Sequence, residues 1–260
     1  MFMRKPLSVR GSLELTFLGT GDAFASHGRF QSAYIIDGPE CRILMEAGPT
    51  ALCAMKRGGF QPADIDIILI SHLHGDHFGG LPFFLLEYLY ESPRRTKLII
   101  AGPRKLEERA WRLFDTMFPG SKGDAEKLKE RLKFVVIEPG CEVKLGQVRI
   151  SAMRTPHMKP PEVSLALRVQ INGKTIVFSG DSGWTEEIVG FAAGADLFLC
   201  ECTYFDSTEL DFHMNYPGLL ANHERFDVGR MILTHIGREV LERMGDVKLE
   251  TADDGMKVRV

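Results

Sequence analysis

Three imidazoles and a carboxylate fall within six residues in His72-Leu73-His74-Gly75-Asp76-His77. Neutral imidazoles and carboxylates are the donors that hold zinc and similar divalent ions in catalytic sites. His72 and His74 stand two apart at the end of a strand-like run, so their side chains point the same way. Asp76 and His77 follow as the chain turns, with Gly75, Gly79 and Gly80 supplying backbone freedom. This cluster alone cannot fill two metal sites. Three further residues have the same character: His157 in Arg154-Thr155-Pro156-His157, Asp181 in Phe178-Ser179-Gly180-Asp181-Ser182, and His235 in Leu233-Thr234-His235-Ile236-Gly237. Each lies just beyond an apolar run, a context that favours ligands over isolated structural histidines. A pair of divalent ions about 4 Å apart would acidify a shared water and offset charge on a phosphoryl or carbonyl oxygen. That is hydrolytic chemistry.

The elements that must position these side chains are legible as alternating and apolar runs. Strands are expected at Leu13–Leu18, Ala33–Ile36, Arg42–Met45, Asp66–Ile70 and Leu98–Ala101. A second set is expected at Val148–Met153, Leu165–Ile171, Thr175–Ser179, Leu197–Cys200, Arg230–Thr234 and Val258–Val260. Helices are expected at Thr50–Arg57, Leu81–Glu91, Arg104–Phe118, Asp124–Leu132, Trp184–Ala193 and Pro217–Phe226. Gly19-Thr20-Gly21 reads as a loop needing unusual backbone angles, whose N–H groups could face the metals. Ser32 and Lys159 could contact a substrate phosphate. Strands and helices in both halves suggest two sheets with helices packed outside in an α/β chain, whose length suits one large domain or two small ones.

Bulk properties narrow the function. Hydrophobic residues make up 44% and charged residues 26% of 260, with a net charge of -3. A basic footprint for nucleic acid is absent; local runs at Arg94, Arg95, Lys97, Arg104 and Lys105 read as solvated surface. The five cysteines show no C-x-x-C spacing, so neither a disulfide framework nor a cysteine zinc site is indicated. Cys200 and Cys202 read as buried strand residues, and reduced thiols fit a cytoplasmic protein. The segment Met1–Pro6 lacks a following apolar stretch of secretory type, and Leu81–Tyr90 is too short to span a bilayer. No membrane association is expected.

The H-x-H-x-D-H core with the later His157, Asp181 and His235 resembles the metallo-β-lactamase superfamily in its hydrolase and phosphodiesterase branch. The likeness runs from Phe17-Leu18-Gly19-Thr20-Gly21 to Asp254-Gly255-Met256. The opening Phe17–Ala23 run resembles ribonuclease Z and related cyclic phosphodiesterases. The resemblance implies a four-layer αββα sandwich, a single domain over residues 1–260. It implies that His72, His74 and His157 hold one ion, that Asp76, His77 and His235 hold the other, and that Asp181 bridges them. Zinc is the default ion for this donor set; manganese and iron occupy similar sites. Family mechanisms let Asp76 take a proton from the attacking water. Glu201-Cys202-Thr203 followed by His213 resembles the ribonuclease Z pattern in which a Glu orients a His acting as general acid. A homodimer is implied as well.

Two departures stand out. Many relatives carry Asp-x-Gly after the third strand, where this chain has Glu46-Ala47-Gly48, leaving the support of the ligands open. The short ribonuclease Z enzymes carry a tRNA-binding arm between the third histidine and the bridging Asp. Here the interval from His157 to Asp181 is filled by an apparent hairpin, which argues against tRNA. The reading is therefore a small or cyclic phosphodiester substrate. Alternatives are a ribonuclease Z-like RNA 3′-end endonuclease and a carboxylic ester, thioester or lactone hydrolase with the same ions. A structural metal module would be closed and cysteine-rich, unlike this set.

Overall fold

The computed structural model describes residues 13–92, 96–206 and 211–260. Arg94 and Arg95 lie outside them.

The first sheet has seven strands in the order β13-β1-β2-β3-β4-β5-β6. These are β1 (Glu14–Gly19), β2 (Ala33–Asp37), β3 (Arg42–Met45), β4 (Ile67–Leu69), β5 (Leu98–Gly102), β6 (Leu132–Val136) and β13 (Lys257–Arg259). The second has six strands, β12-β11-β10-β9-β8-β7. They are β7 (Glu142–Leu145), β8 (Val148–Arg154), β9 (Leu165–Ile171), β10 (Lys174–Phe178), β11 (Leu197–Glu201) and β12 (Met231–Thr234). Helices α1 (Ala51–Arg57), α2 (Gly75–Phe78), α3 (Leu81–Tyr90), α4 (Leu106–Met117) and α5 (Lys122–Lys129) accompany the first sheet. Helices α6 (Glu187–Ala192), α7 (Tyr216–Asn222) and α8 (Arg238–Glu242) accompany the second.

The period of two along each strand builds the layers. In β2, Tyr34 and Ile36 join the core between the sheets, while Ala33 and Ile35 face the helices. In β4, Ile67 and Leu69 face inward, and Ile68 faces the helical side. In β11, Leu197 and Leu199 meet the first sheet, whereas Phe198 and Cys200 pack under the second set of helices. Three apolar cores thus separate four layers, the expected αββα sandwich. Each fully buried residue of the size of Phe17 or Phe178 contributes ~1.5–3 kcal/mol.

Strand direction decides where the site sits. Strands β3, β4, β5 and β6 are mutually parallel, as are β10, β11 and β12. Strand β8 runs with β10 because both are antiparallel to β9. The carboxyl ends of β3, β4, β8, β10, β11 and β12 lead directly to Glu46, His72, His157, Asp181, Glu201 and His235. One backbone bond, Leu165 N–H to Ser71 O at 3.2 Å, ties the sheets at that edge.

Some elements differ from expectation. The helix expected through Leu132 stops at Lys129, and Leu132 opens β6. The charged run before it reads as helix, and its propensity hides the alternation that begins at Leu132. Strand β7 is an edge strand of largely exposed alternating charge, the pattern of a loop in sequence. The expected Trp184–Ala193 helix is shortened to Glu187–Ala192. Between His157 and Asp181, β9 and β10 form a hairpin whose turn residues Asn172 and Gly173 have φ of 52° and 75°. A two-residue turn of this kind leaves no room for an arm. Among the described residues no helix is long and apolar enough to cross a membrane.

Candidate metal centre

Close backbone contacts hold the His72–His77 segment. Beyond β4, Ser71 N–H donates to Glu46 Oε1 at 2.8 Å. Ala47 N–H donates to His77 O at 2.7 Å and Gly80 N–H to Ala47 O at 2.8 Å. A Cβ on Gly48 would meet Asp76 O at 2.4 Å, and one on Gly80 would meet Gly48 O at 2.2 Å. The β3 and β4 loops therefore require glycine for close approach.

The second sheet supplies the rest. Asp181 follows Gly180, whose φ is 59°, and its carbonyl accepts from Thr155 Oγ1 at 2.8 Å and Ser164 Oγ at 3.1 Å. His235 itself has φ of 50°, the left-handed region that costs a non-glycine residue on the order of 1 kcal/mol or more. Backbone bonds on either side, Cys202 N–H to Thr234 O at 2.9 Å and Ile236 N–H to Thr20 O at 2.8 Å, hold it there.

All seven expected donors converge. Asp181 Oδ1 lies 3.2 Å from His77 Nε2, while Oδ2 lies 3.8, 3.7 and 3.4 Å from Nε2 of His72, His157 and His235. Asp76 Oδ2 sits between His77 Nε2 at 3.1 Å and His235 Nε2 at 3.3 Å. The donor atoms form two groups, each within 4.8 Å: His72, His74 and His157, and Asp76, His77, Asp181 and His235. Asp181 also groups with His157 and His213, and Glu201 with His213 and His235.

The outer ring nitrogens show why the inner ones are free. His157 Nδ1 faces the Phe212 carbonyl at 2.9 Å. A carbonyl only accepts, so Nδ1 carries the proton and Nε2 presents a lone pair. His77 Nδ1 faces Glu46 Oε2 at 3.1 Å and His72 Nδ1 faces Ser71 Oγ at 3.0 Å. The His157 Nε2 lone pair lies 2.9 Å from His74 Nδ1, which can donate a hydrogen bond to it. His72 Nε2, His77 Nε2 and Asp181 Oδ1 are buried without a hydrogen bond. Orphaned inward-facing donors of this kind are what divalent ions would satisfy, so the residues present fit a metal pair.

Electrostatics agrees. Burial pushes Asp76 and Asp181 up, but the facing imidazoles outweigh it and hold both well below the usual carboxylate range. Burial works against charge on His77 and His235, yet Asp181 and Asp76 raise both, His235 to about 9. Burial lowers His72, His74 and His157. One group of donors thus consists of imidazoles shifted toward the neutral form, while in the other two carboxylates and two imidazoles hold one another in their charged forms.

Glu201 and His213 also meet. His213 Nδ1 lies 2.7 Å from Glu201 Oε1. Its ring stacks on His235 at 5.5 Å and 15° and meets His157 edge-on at 4.7 Å. Burial lowers the His213 pKa, but the Glu201 carboxylate outweighs it and the net shift is upward. Glu201 is fully buried and also accepts from Ser182 N–H at 2.8 Å and Thr203 Oγ1 at 2.7 Å.

Other expectations need correction. Gly19 and Gly21 have no left-handed φ; a Cβ on Gly19 would meet Gln31 O at 2.0 Å, so the requirement is space. Thr20 N–H is taken by Asp254 Oδ1 at 2.9 Å and Gly21 N–H by Phe30 O at 2.8 Å. It is the Thr20 carbonyl, accepting Ile236 N–H at 2.8 Å, that braces the chain beyond His235. Ser32 is fully buried against the Tyr34 hydroxyl. Lys159 is exposed. Arg104 pairs with Glu138 at 2.6 Å, and Lys105 lies 3.4 Å from Glu162, which reduces the free basic surface. Cys200 and Cys202 are buried as expected. Sequence reasoning missed Thr203 and the Phe212 carbonyl. The first could have been found from its place two residues beyond Glu201; the second leaves no mark in residue type.

Comparison with known proteins agrees with this architecture. The family model described as Anti-Pycsar protein Apyc1 matches residues 13–251. Ribonuclease Z of Shouchella clausii is 28% identical, covering 92% of each chain. Ribonuclease Z of Clostridium novyi is 24% identical over 86% of this chain and 89% of its own. The metallo-β-lactamase fold protein YhfI from Bacillus subtilis superposes with a TM-score of 0.75 at 20% identity, over 96% of this chain and all of that one.

Proposed function

The chain belongs to the Anti-Pycsar protein Apyc1 family and is a metal-dependent hydrolase of the metallo-β-lactamase fold; from that premise we propose that it cleaves a small or cyclic phosphodiester. The observation that carries the reading is the Glu201–His213 pair, 2.7 Å apart and stacked against the candidate metal ligand His235. An alkoxide leaving from phosphorus needs a proton, and an imidazole held by a buried carboxylate is built to deliver one. A site for carboxylic esters with good leaving groups has less need of such a donor.

His72, His74 and His157 would hold one divalent ion and Asp76, His77 and His235 a second, with Asp181 shared, zinc being the default for these donors. When bound, the ions would supply positive charge to the phosphoryl oxygens and acidify the attacking water. Asp76 Oδ2 faces the same space and would accept the proton that the water loses. His213 Nδ1–H stays bonded to Glu201, which leaves Nε2 to protonate the departing oxygen. A cavity of about 220 Å³ opens beside His213, bordered by Trp184, Asp211 and Asn215, and offers room for a small leaving group.

The β9–β10 hairpin fills the interval where an RNA-gripping arm would stand, which favours small substrates. The ribonuclease Z matches keep RNA 3′-end cleavage as the second reading. A panel of an activated phosphodiester, a cyclic nucleotide, a precursor tRNA and a lactone, run with loaded protein, decides among them. Turnover of the cyclic or small diester is expected. Lactone or tRNA turnover without it would refute the reading.

A further inference from the structure

The Glu201–His213 pair and the metal cluster meet at one hydroxyl that the scheme above does not use. Thr203 is 5% exposed. Its Oγ1 lies 2.7 Å from Glu201 Oε2, 2.9 Å from His235 Nδ1 and 3.2 Å from His213 Nδ1. A hydroxyl has one proton and two lone pairs. A carboxylate can only accept, so that proton goes to Glu201 and the oxygen faces the rings as an acceptor. His213 already has the nearer Glu201 Oε1. The remaining partner is His235, whose Nδ1–H then points at Thr203 Oγ1 and whose Nε2 faces Asp76 and Asp181.

We propose that Thr203 is a positioning residue that locks the tautomer and ring angle of His235, and so sets the affinity of the ion position formed by Asp76, His77 and His235. Through Thr203 the single Glu201 carboxylate orients two rings, His213 directly and His235 at one remove. Their near-parallel stack at 15° follows from sharing that support. The position formed by His72, His74 and His157 has its own outer partners, Ser71 and the Phe212 carbonyl, and does not depend on Thr203. The inference rests on the two-ion reading above.

The test is a titration of Zn²⁺ into the metal-stripped full chain, with a competing chelator and calorimetric detection. In Thr203→Val the Nδ1–H of His235 loses its acceptor. One ion should bind as in the unaltered protein and the other about 10–100-fold more weakly. Thr203→Ser keeps the hydroxyl and should keep the second ion. Equal weakening of both positions, no weakening, or failure of Ser to restore would overturn the proposal. Should the Val variant not fold, the same zinc titration of Thr203→Ala beside Thr203→Ser decides instead: loss of the second ion in Ala with its retention in Ser supports the proposal, and equal affinity in the two overturns it. Neither readout uses a substrate, so loss of the phosphodiesterase reading would leave this result standing. Uptake of a single ion by the unaltered protein would refute the two-ion reading and this inference together.

Discussion

Glu46 Oε2 lies 3.1 Å from His77 Nδ1, and both side chains are fully buried. The other oxygen, Oε1, accepts Ser71 N–H at 2.8 Å. One carboxylate therefore clips the end of β3 to the end of β4 and aims His77 inward. Glu46 has φ of 64°, in the left-handed region. Burial raises the Glu46 pKa while His77 and Ser71 hold it down.

Glu46→Gln keeps the shape but has one acceptor oxygen for two donors. Either Ser71 N–H or His77 Nδ1–H would face an amide NH₂. We expect metal affinity to fall by about 10–100-fold with the fold intact. A calorimetric metal titration beside a circular dichroism spectrum checks this; unchanged affinity would show that His77 is aimed by packing alone.

His213→Ala removes the proton donor without touching a candidate metal ligand. Turnover of a diester with a poor, alkoxide-like leaving group should fall by about 10²–10⁴-fold. An activated diester, whose leaving group departs unprotonated, should lose much less. The check is kcat on both substrates with equal metal loading. Equal losses on the two would assign His213 to substrate placement.

The candidate site was largely legible because its donors sit at the ends of apolar strands. His72, Asp181 and His235 each announce themselves by residue type and by the run before them. Topology then brings them together, since parallel strands deliver their carboxyl ends to one edge. What was not legible depends on backbone. Phe212 acts through a carbonyl, and any residue would offer one. Thr203 acts through a single hydroxyl whose proton is already committed, a matter of angle and distance. Gly19 suggested conformational freedom but serves close approach. In the fold, β7 was hidden because an exposed edge strand needs no apolar face, and β6 because a charged helix runs into it.

Removing the ions should destabilise the protein. Asp76 and Asp181 are held ionised in a buried space, and without cations they rely on protonated imidazoles. Ions that bind the folded chain at 100 times Kd contribute about 2.7 kcal/mol. For a chain of this size that is roughly 5–10 °C in Tm. Thermal unfolding with a chelator, then with excess Zn²⁺, measures it. An unchanged Tm would mean that the ions are not held by the folded site.

Tyr34 links the two sheets beneath the centre. Its ring packs edge-on against Phe17 at 5.7 Å and beside Phe178 at 5.3 Å. Its hydroxyl meets Thr234 Oγ1 at 2.9 Å, one residue before His235. Tyr34→Phe keeps the packing and removes a partner of the fully buried Thr234 hydroxyl. The cost should be about 1–3 kcal/mol, read as a lower urea midpoint at constant m-value. Metal affinity should fall less than in Glu46→Gln, because the backbone bonds at Cys202 and Ile236 still hold the strand end. A midpoint equal to that of the unaltered protein would show that the hydroxyl pair adds nothing to the union of the sheets.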